Sequence, residues 1–116
     1  HTVRFVAAVW HPSRRVGIDL EKKHEKLIRT APKFLSAHER STVGSCLEQL
    51  CAYWCAKEAL YKLNGRKKVS FREQIQIWPD DTNPEYLRGL LTDSHERIES
   101  RIWIRWIDDY CLAVAI

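Results

Sequence analysis

No methionine occurs anywhere in the chain, and its first residue is histidine. Such a sequence is not a native translation start, so residue 1 is expected to lie inside a longer gene product or behind a processing or cloning junction. Long apolar runs are missing too: the longest, Phe5 to Trp10, falls far short of the roughly 20 residues that cross a bilayer. The expectation is a soluble, cytoplasmic protein with no membrane partner. None of the cysteines Cys46, Cys51, Cys55 and Cys111 stands in a Cys-x-x-Cys pair, which leaves buried free thiols as the reading. A zinc site using His24 or His38 has no support from spacing. There is no glycine-rich phosphate loop, His-rich cluster or nucleophile elbow, and no internal repeat or low-complexity stretch.

What is present suffices for one core. Hydrophobic residues make up 45% of the 116 and aromatics 10%, enough for a single domain over residues 1–116 and hardly for two. The net charge of +4 suits an anionic partner without identifying it: a phosphorylated coenzyme, an acidic protein, RNA and an acidic membrane surface all qualify. Trp103 and Trp106 among Arg101 and Arg105 could form a nucleic-acid surface. Ile102, Ile104 and Ile107 in the same stretch mark it as a core strand instead, and no nucleic-acid partner is expected.

Apolar residues on both faces from Val3 to Trp10 predict a central strand, turned at His11-Pro12-Ser13-Arg14-Arg15 into an antiparallel partner around Asp19. Lys22 to Thr30 is charged and weakly apolar, and Pro32 is expected to stop it. Ser36-Ala37-His38-Glu39 has capping-box form, which gives Glu39 a structural role. A long helix is predicted from about Cys46 to Leu63, with Asn64-Gly65 as its stop. The basic run Arg66-Lys67-Lys68 behind it reads as a solvated loop, with a phosphate contact as the lesser alternative. Phe71 to Trp78 predicts a strand, residues 79–84 a loop, and Tyr86 to Thr92, Glu99 to Ile107 and Tyr110 to Ile116 three more strands, the last two joined at Asp108-Asp109. Cys111, Ala113 and Ala115 share one face of the final strand, small enough for the long helix to pack closely. The fold class that follows is α+β, a mainly antiparallel sheet against a long central helix.

One residue breaks the helix pattern. Leu47, Leu50, Cys51, Trp54 and Tyr61 recur at helical spacing, and at about 100° per residue Glu58 projects from the middle of that stripe. A carboxylate facing inward is costly unless a metal or cation neutralises it, and Lys57 and Lys62 flank it. In Val16-Gly17-Ile18-Asp19-Leu20-Glu21 the alternation puts Gly17, Asp19 and Glu21 on one strand face. Gly17 leaves room there for something bulky to approach the backbone. Three carboxylates from a strand and a helix make an oxygen-only site of the kind that holds Mg²⁺ together with substrate phosphates.

These two stretches, Val16 to Glu21 and, about thirty-five residues later, Trp54-Cys55-Ala56-Lys57-Glu58-Ala59-Leu60-Tyr61-Lys62, resemble the paired signature motifs of the 4′-phosphopantetheinyl transferases. Phe34-Leu35-Ser36-Ala37-His38-Glu39 resembles the segment between the motifs, and His1-Thr2 the end of a Ser-His element before the first. The resemblance covers residues 1 to about 62. In the family type with two similar halves the chain would correspond to the second half. The smaller type assembles as a trimer of single halves, and its aspartate motif lies nearer the N-terminus than here. An oligomer, or a missing first half, is therefore expected to complete the site.

The resemblance implies Mg²⁺-dependent (or Mn²⁺-dependent) cleavage of the coenzyme A pyrophosphate, with transfer of the 4′-phosphopantetheine arm to a serine of an acyl or peptidyl carrier protein and release of adenosine 3′,5′-bisphosphate. Asp19, Glu21 and Glu58 would hold the metal. Glu58 would accept the serine proton and Lys62 stabilise phosphate charge, while Lys57, Lys62 and His1 would contact the coenzyme's phosphates. Two other readings stand beside it: a partial or degenerate transferase acting as a binding module, and an unrelated Mg²⁺-dependent phosphodiester-cleaving enzyme.

Overall fold

The protein's computed structural model describes residues 15–116. The expected strand Val3 to Trp10, its turn up to Arg14, and His1-Thr2 lie outside the described residues. Chain order is β1 (Gly17–Lys22), α1 (Lys26–Phe34), α2 (Ala37–Val43), α3 (Leu47–Leu63), α4 (Phe71–Gln74), β2 (Ile75–Pro79), β3 (Tyr86–Thr92), β4 (Arg97–Ile107) and β5 (Tyr110–Ala115). The strands make one antiparallel sheet in the order β1-β5-β4-β3-β2. Helix α3 crosses one face of it and touches all five strands. The α+β class expected from the sequence is the one observed.

Strand alternation decides what meets α3. Cys111, Ala113 and Ala115 of β5 turn toward the helix and are fully enclosed. Because they are small, α3 settles close to the sheet, with Leu50, Cys55, Ala56, Ala59 and Leu60 also sealed from solvent; each leucine so buried contributes about 1.5–3 kcal/mol. Closest of all is the crossing at β1. A Cβ on Gly17 would stand 1.9 Å from the Ala59 carbonyl oxygen, so the room this glycine leaves is filled by the backbone of α3 and not by a ligand.

Several local expectations hold. Ser36 and Glu39 form the reciprocal capping box, with Ser36 N–H donating to Glu39 Oε1 at 2.8 Å and Glu39 N–H to Ser36 Oγ at 3.2 Å. Asn64 caps the C-terminus of α3, Gly65 follows at φ 76°, and β4 and β5 turn at Asp108, φ 52°. Cys51, Cys55 and Cys111 are buried free thiols as expected, whereas Cys46, at the start of α3, is exposed and departs from that reading. Burial raises the Cys55 thiol well above its ordinary range. The core reading of β4 holds only in part: Ile102 is fully enclosed, but Ile104 is half-buried and Ile107 exposed, while Arg101 is held by Asp80 at 3.3 Å. Among the described residues, no helix is long and apolar enough to cross a membrane.

Two expectations are corrected. Pro32 does not stop the segment before it: α1 starts at Lys26 and runs through Pro32 to Phe34, since a proline near a helix end forfeits one backbone bond and the burial of Leu27, Ala31 and Phe34 outweighs it. Phe71 to Trp78 is not all strand. Ser70 caps a single turn, Phe71–Gln74, by accepting from Glu73 N–H at 3.2 Å, while its own N–H donates to Gln74 Oε1 at 2.8 Å; the strand begins only at Ile75.

Candidate active site

The site is built where β1 crosses α3. Pairing of Asp19 with Ala113 and of Glu21 with Cys111 places both carboxylates on the helix side of the sheet, two residues apart on one face. Asp19 is buried, its side chain 1% exposed, and Lys62 of α3 donates to its Oδ1 at 2.6 Å. Its other oxygen, Oδ2, is buried with no donor except a proton shared by the neighbouring Glu21 carboxyl. Such an atom carries a desolvation cost that only a further donor or cation removes.

Glu21 shares that problem. Burial first, and then the adjoining Asp19 carboxyl, push its pKa up to about 8, against a hydrogen bond from Trp54 that pulls the other way. At neutral pH it therefore holds a proton that a cation would have to displace. Glu58, one turn beyond Trp54 on α3, is also raised, by burial and then by Asp19, with Lys62 and Arg66 opposing. It is half-buried and lines a cavity of about 770 Å³ that Glu21 borders from the other side.

Around the carboxylates the cavity has two characters. Its inner wall is aromatic: Phe34 meets Trp54 edge-on with ring centres 5.0 Å apart, Trp54 lies 5.5 Å from Phe71, and Phe71 5.4 Å from Tyr61. Its outer wall carries Lys22 from the end of β1 and Lys26 and Lys33 from α1. Phosphate oxygens suit the second, and a slender uncharged chain the first.

The sequence expectations meet this geometry unevenly. Asp19, Glu21, Glu58 and Lys62 converge. The three carboxylates do not close into a ready-made metal cage: among the described residues no group of three or more His, Cys, Asp or Glu side chains could hold a metal ion alone. Asp19 and Glu21 nonetheless bring two carboxyl groups together on one strand face, the hard oxygen chemistry that suits Mg²⁺ when substrate and water complete its shell. Lys57 is corrected. It is fully buried, donating to Phe34 O at 2.8 Å, Glu39 Oε1 at 2.8 Å and Phe71 O at 2.7 Å, so no N–H is left for a phosphate. Burial lowers its pKa and the Glu39 carboxylate opposes that. Lys22, Lys26, Lys33 and the aromatic wall went unnoticed in the sequence. Lys26, Thr30 and Lys33 stand at helical spacing, a signal hidden by taking Pro32 as the end of the charged segment, which leaves Lys33 outside it.

A family model described as the 4′-phosphopantetheinyl transferase superfamily matches residues 15–115. Among solved structures, the chain is similar to Helicobacter pylori holo-[acyl-carrier-protein] synthase in complex with coenzyme A. The TM-score is 0.64 at 20% identity, over 87% of this chain and 97% of that one. At such identity the likeness is one of fold. Comparison with curated proteins gives no significant match.

Proposed function

The chain belongs to the 4′-phosphopantetheinyl transferase superfamily, and from that premise we propose that its cavity takes coenzyme A and that the residues where β1 meets α3 carry the transfer to a serine of an acyl or peptidyl carrier protein. The observation that carries the reading is the cluster of carboxyl groups around the buried Asp19–Lys62 pair at 2.6 Å, where Glu21 holds a proton against Asp19 and Glu58 is raised by the same charge. A structural ion pair has no need of two further carboxyl groups beside it. This one is crowded by them, and a cation relieves the mutual repulsion that raises both Glu21 and Glu58.

In this reading Asp19 and Glu21 hold a divalent cation, Mg²⁺ or Mn²⁺, and Glu58 adds its charge from the cavity wall. Once the ion has displaced the Glu21 proton, three carboxylates against the single Lys62 ammonium leave two negative charges, which one divalent ion balances. Bound there, the ion would act as Lewis acid and template for the pyrophosphate oxygens. Lys62, which donates to Asp19 Oδ1 and is part-exposed, would stabilise charge on the phosphate as the bond to the leaving group lengthens. Glu58, its pKa raised by burial, is poised to accept the proton of the attacking serine hydroxyl. The aromatic wall receives the pantetheine arm and excludes water from the reacting phosphate, and Lys22, Lys26 and Lys33 attract the anionic ends of coenzyme and carrier. The serine oxygen forms the new P–O bond, and adenosine 3′,5′-bisphosphate departs.

Incubating the protein with coenzyme A, Mg²⁺ and an apo carrier protein and weighing the carrier tests this directly. The carrier should gain one 4′-phosphopantetheine, and Asp19→Asn should abolish the gain. A carrier whose mass never changes, or an Asp19→Asn protein as active as the parent, would refute the proposal.

A further inference from the structure

The Glu39–Lys57 pair has no part in that chemistry, yet Lys57 is fully enclosed and Glu39 only 3% exposed. Both ends are saturated. The three ammonium N–H groups go to Phe34 O, Phe71 O and Glu39 Oε1, and the carboxylate also accepts the backbone N–H of Ser36 at 2.8 Å and of Ile77 at 2.7 Å. A buried network satisfied at every position holds geometry rather than binding or titrating. What it holds is particular. Phe34 closes α1 and Phe71 opens α4, and the rings of both stand against Trp54 in the aromatic wall. Lys57 precedes Glu58 on α3, so one rigid turn carries the clamp on its buried side and the proton acceptor on its cavity side.

We propose that Glu39 and Lys57 are positioning residues that set the width of the aromatic slot, by fixing the carbonyls of Phe34 and Phe71 to the turn of α3 that presents Glu58. The slot is thereby made selective for the pantetheine arm of the coenzyme, as distinct from its nucleotide end. The inference rests on the reading that this cavity takes coenzyme A. Its physical basis is the rigidity of the ammonium's three-way bonding. Without Lys57 the two carbonyls lose their shared donor, α1 and α4 are free to part, and the Phe34 and Phe71 rings move with them. Misplacement on the scale of an ångström costs about a hundredfold where it touches reacting groups, and less where it only widens a slot.

The test compares an arm-bearing with an arm-less ligand. Dissociation constants for coenzyme A and for adenosine 3′,5′-bisphosphate are measured by calorimetry with Mg²⁺ on the parent protein, Lys57→Met and Glu39→Gln, at a temperature where all are folded by circular dichroism. Coenzyme A should weaken about tenfold or more in both variants, and adenosine 3′,5′-bisphosphate less than about twofold, so that the ratio between them collapses. A merely structural pair would lower the melting temperature and weaken both ligands alike, or neither, and either result overturns the proposal. Should Lys57→Met not fold, Glu39→Gln, which keeps the shape and one acceptor oxygen, carries the same comparison. A parent protein that fails to bind coenzyme A would remove the functional reading and this inference together. A parent that binds, with a ratio unchanged in the variants, removes this inference alone.

Discussion

Replacing Gly17 by alanine tests the distance between sheet and helix on which the whole site depends. The added methyl carbon would stand 1.9 Å from Ala59 O, 2.7 Å from Leu63 N and 2.9 Å from Ala59 C. All three are backbone atoms, so no rotamer change relieves the contact. Carbon and oxygen approach to about 3.3 Å at the closest, and β1 and α3 must therefore part by roughly an ångström or more. Overpacking costs about 1–3 kcal/mol and occasionally more; with backbone on every side, about 3 kcal/mol or more is the expectation here. At roughly 4 °C per kcal/mol for a domain of this size, the melting temperature should fall by about 12 °C or more in a circular dichroism melt. The Lys62–Asp19 bond, 2.6 Å long, spans the same seam, so carrier modification should also drop below the melt. As a control, Gly65→Ala meets no atom within 4 Å and carries only the strain of φ 76°, about 1–2 kcal/mol. A Gly17→Ala protein melting within about 2 °C of the parent would refute the close packing on which this reasoning stands.

Glu58→Gln keeps size and fold while removing the proton acceptor, and carrier modification should fall by about 10² to 10⁴ with the melting temperature unchanged or higher; an active, destabilised variant would end the catalytic reading. Lys62→Ala leaves the buried Asp19 carboxylate without its partner. Breaking a buried pair costs about 3–5 kcal/mol, reduced here to about 2 because Lys62 is 24% exposed, and a calorimetric melt of the metal-free protein that does not shift would show the pair to be idle. Glu21 makes metal-free stability fall with pH. Its folded pKa of about 8 exceeds the ordinary value of 4.5, so between these the folded state holds a proton the unfolded state has released, and the slope is downward through that window and flat above it. Urea titrations in a chelator from pH 4 to 9 should show this slope, and Glu21→Gln should lessen it; equal slopes in both proteins would place the titration elsewhere.

The fold was largely legible because its signals are local and periodic. The hairpin at Asp108, the capping box at Ser36 and Glu39 and the small-residue face of β5 each follow from a few adjacent residues, and each is found. The misread elements are those in which local and tertiary preferences compete. Phe71 to Trp78 alternates well enough for a strand, but Ser70 and Glu73 cap its first turn into a helix, which aims the Phe71 carbonyl at Lys57. In α1, Pro32 is a breaker by itself; Leu27, Ala31 and Phe34 anchor the helix against α3 around it, an outcome invisible without knowing that α3 lies there.

At the site, the sequence pattern located the right turn of the right helix and misjudged its orientation. Helical spacing drew attention to Glu58 as an intruder in an apolar stripe, yet the residue turned fully inward is its neighbour Lys57, and Glu58 stands half-buried at a cavity wall. The error has a physical origin. Helix α3 buries residues almost all around its circumference, from Leu50 and Cys51 to Tyr53, Ala56 and Lys57, because the sheet covers one side and α1 another. With no single buried face, periodicity cannot say which of two adjacent charged residues points into the protein. What decides it is a partner distant in sequence: Glu39 lies 18 residues away, already capping α2, with its carboxylate set to receive an ammonium. A charged lysine is buried at little cost only where such a carboxylate waits, and once Lys57 is drawn to Glu39, the turn of α3 is oriented so that Glu58 faces the carboxylates of β1.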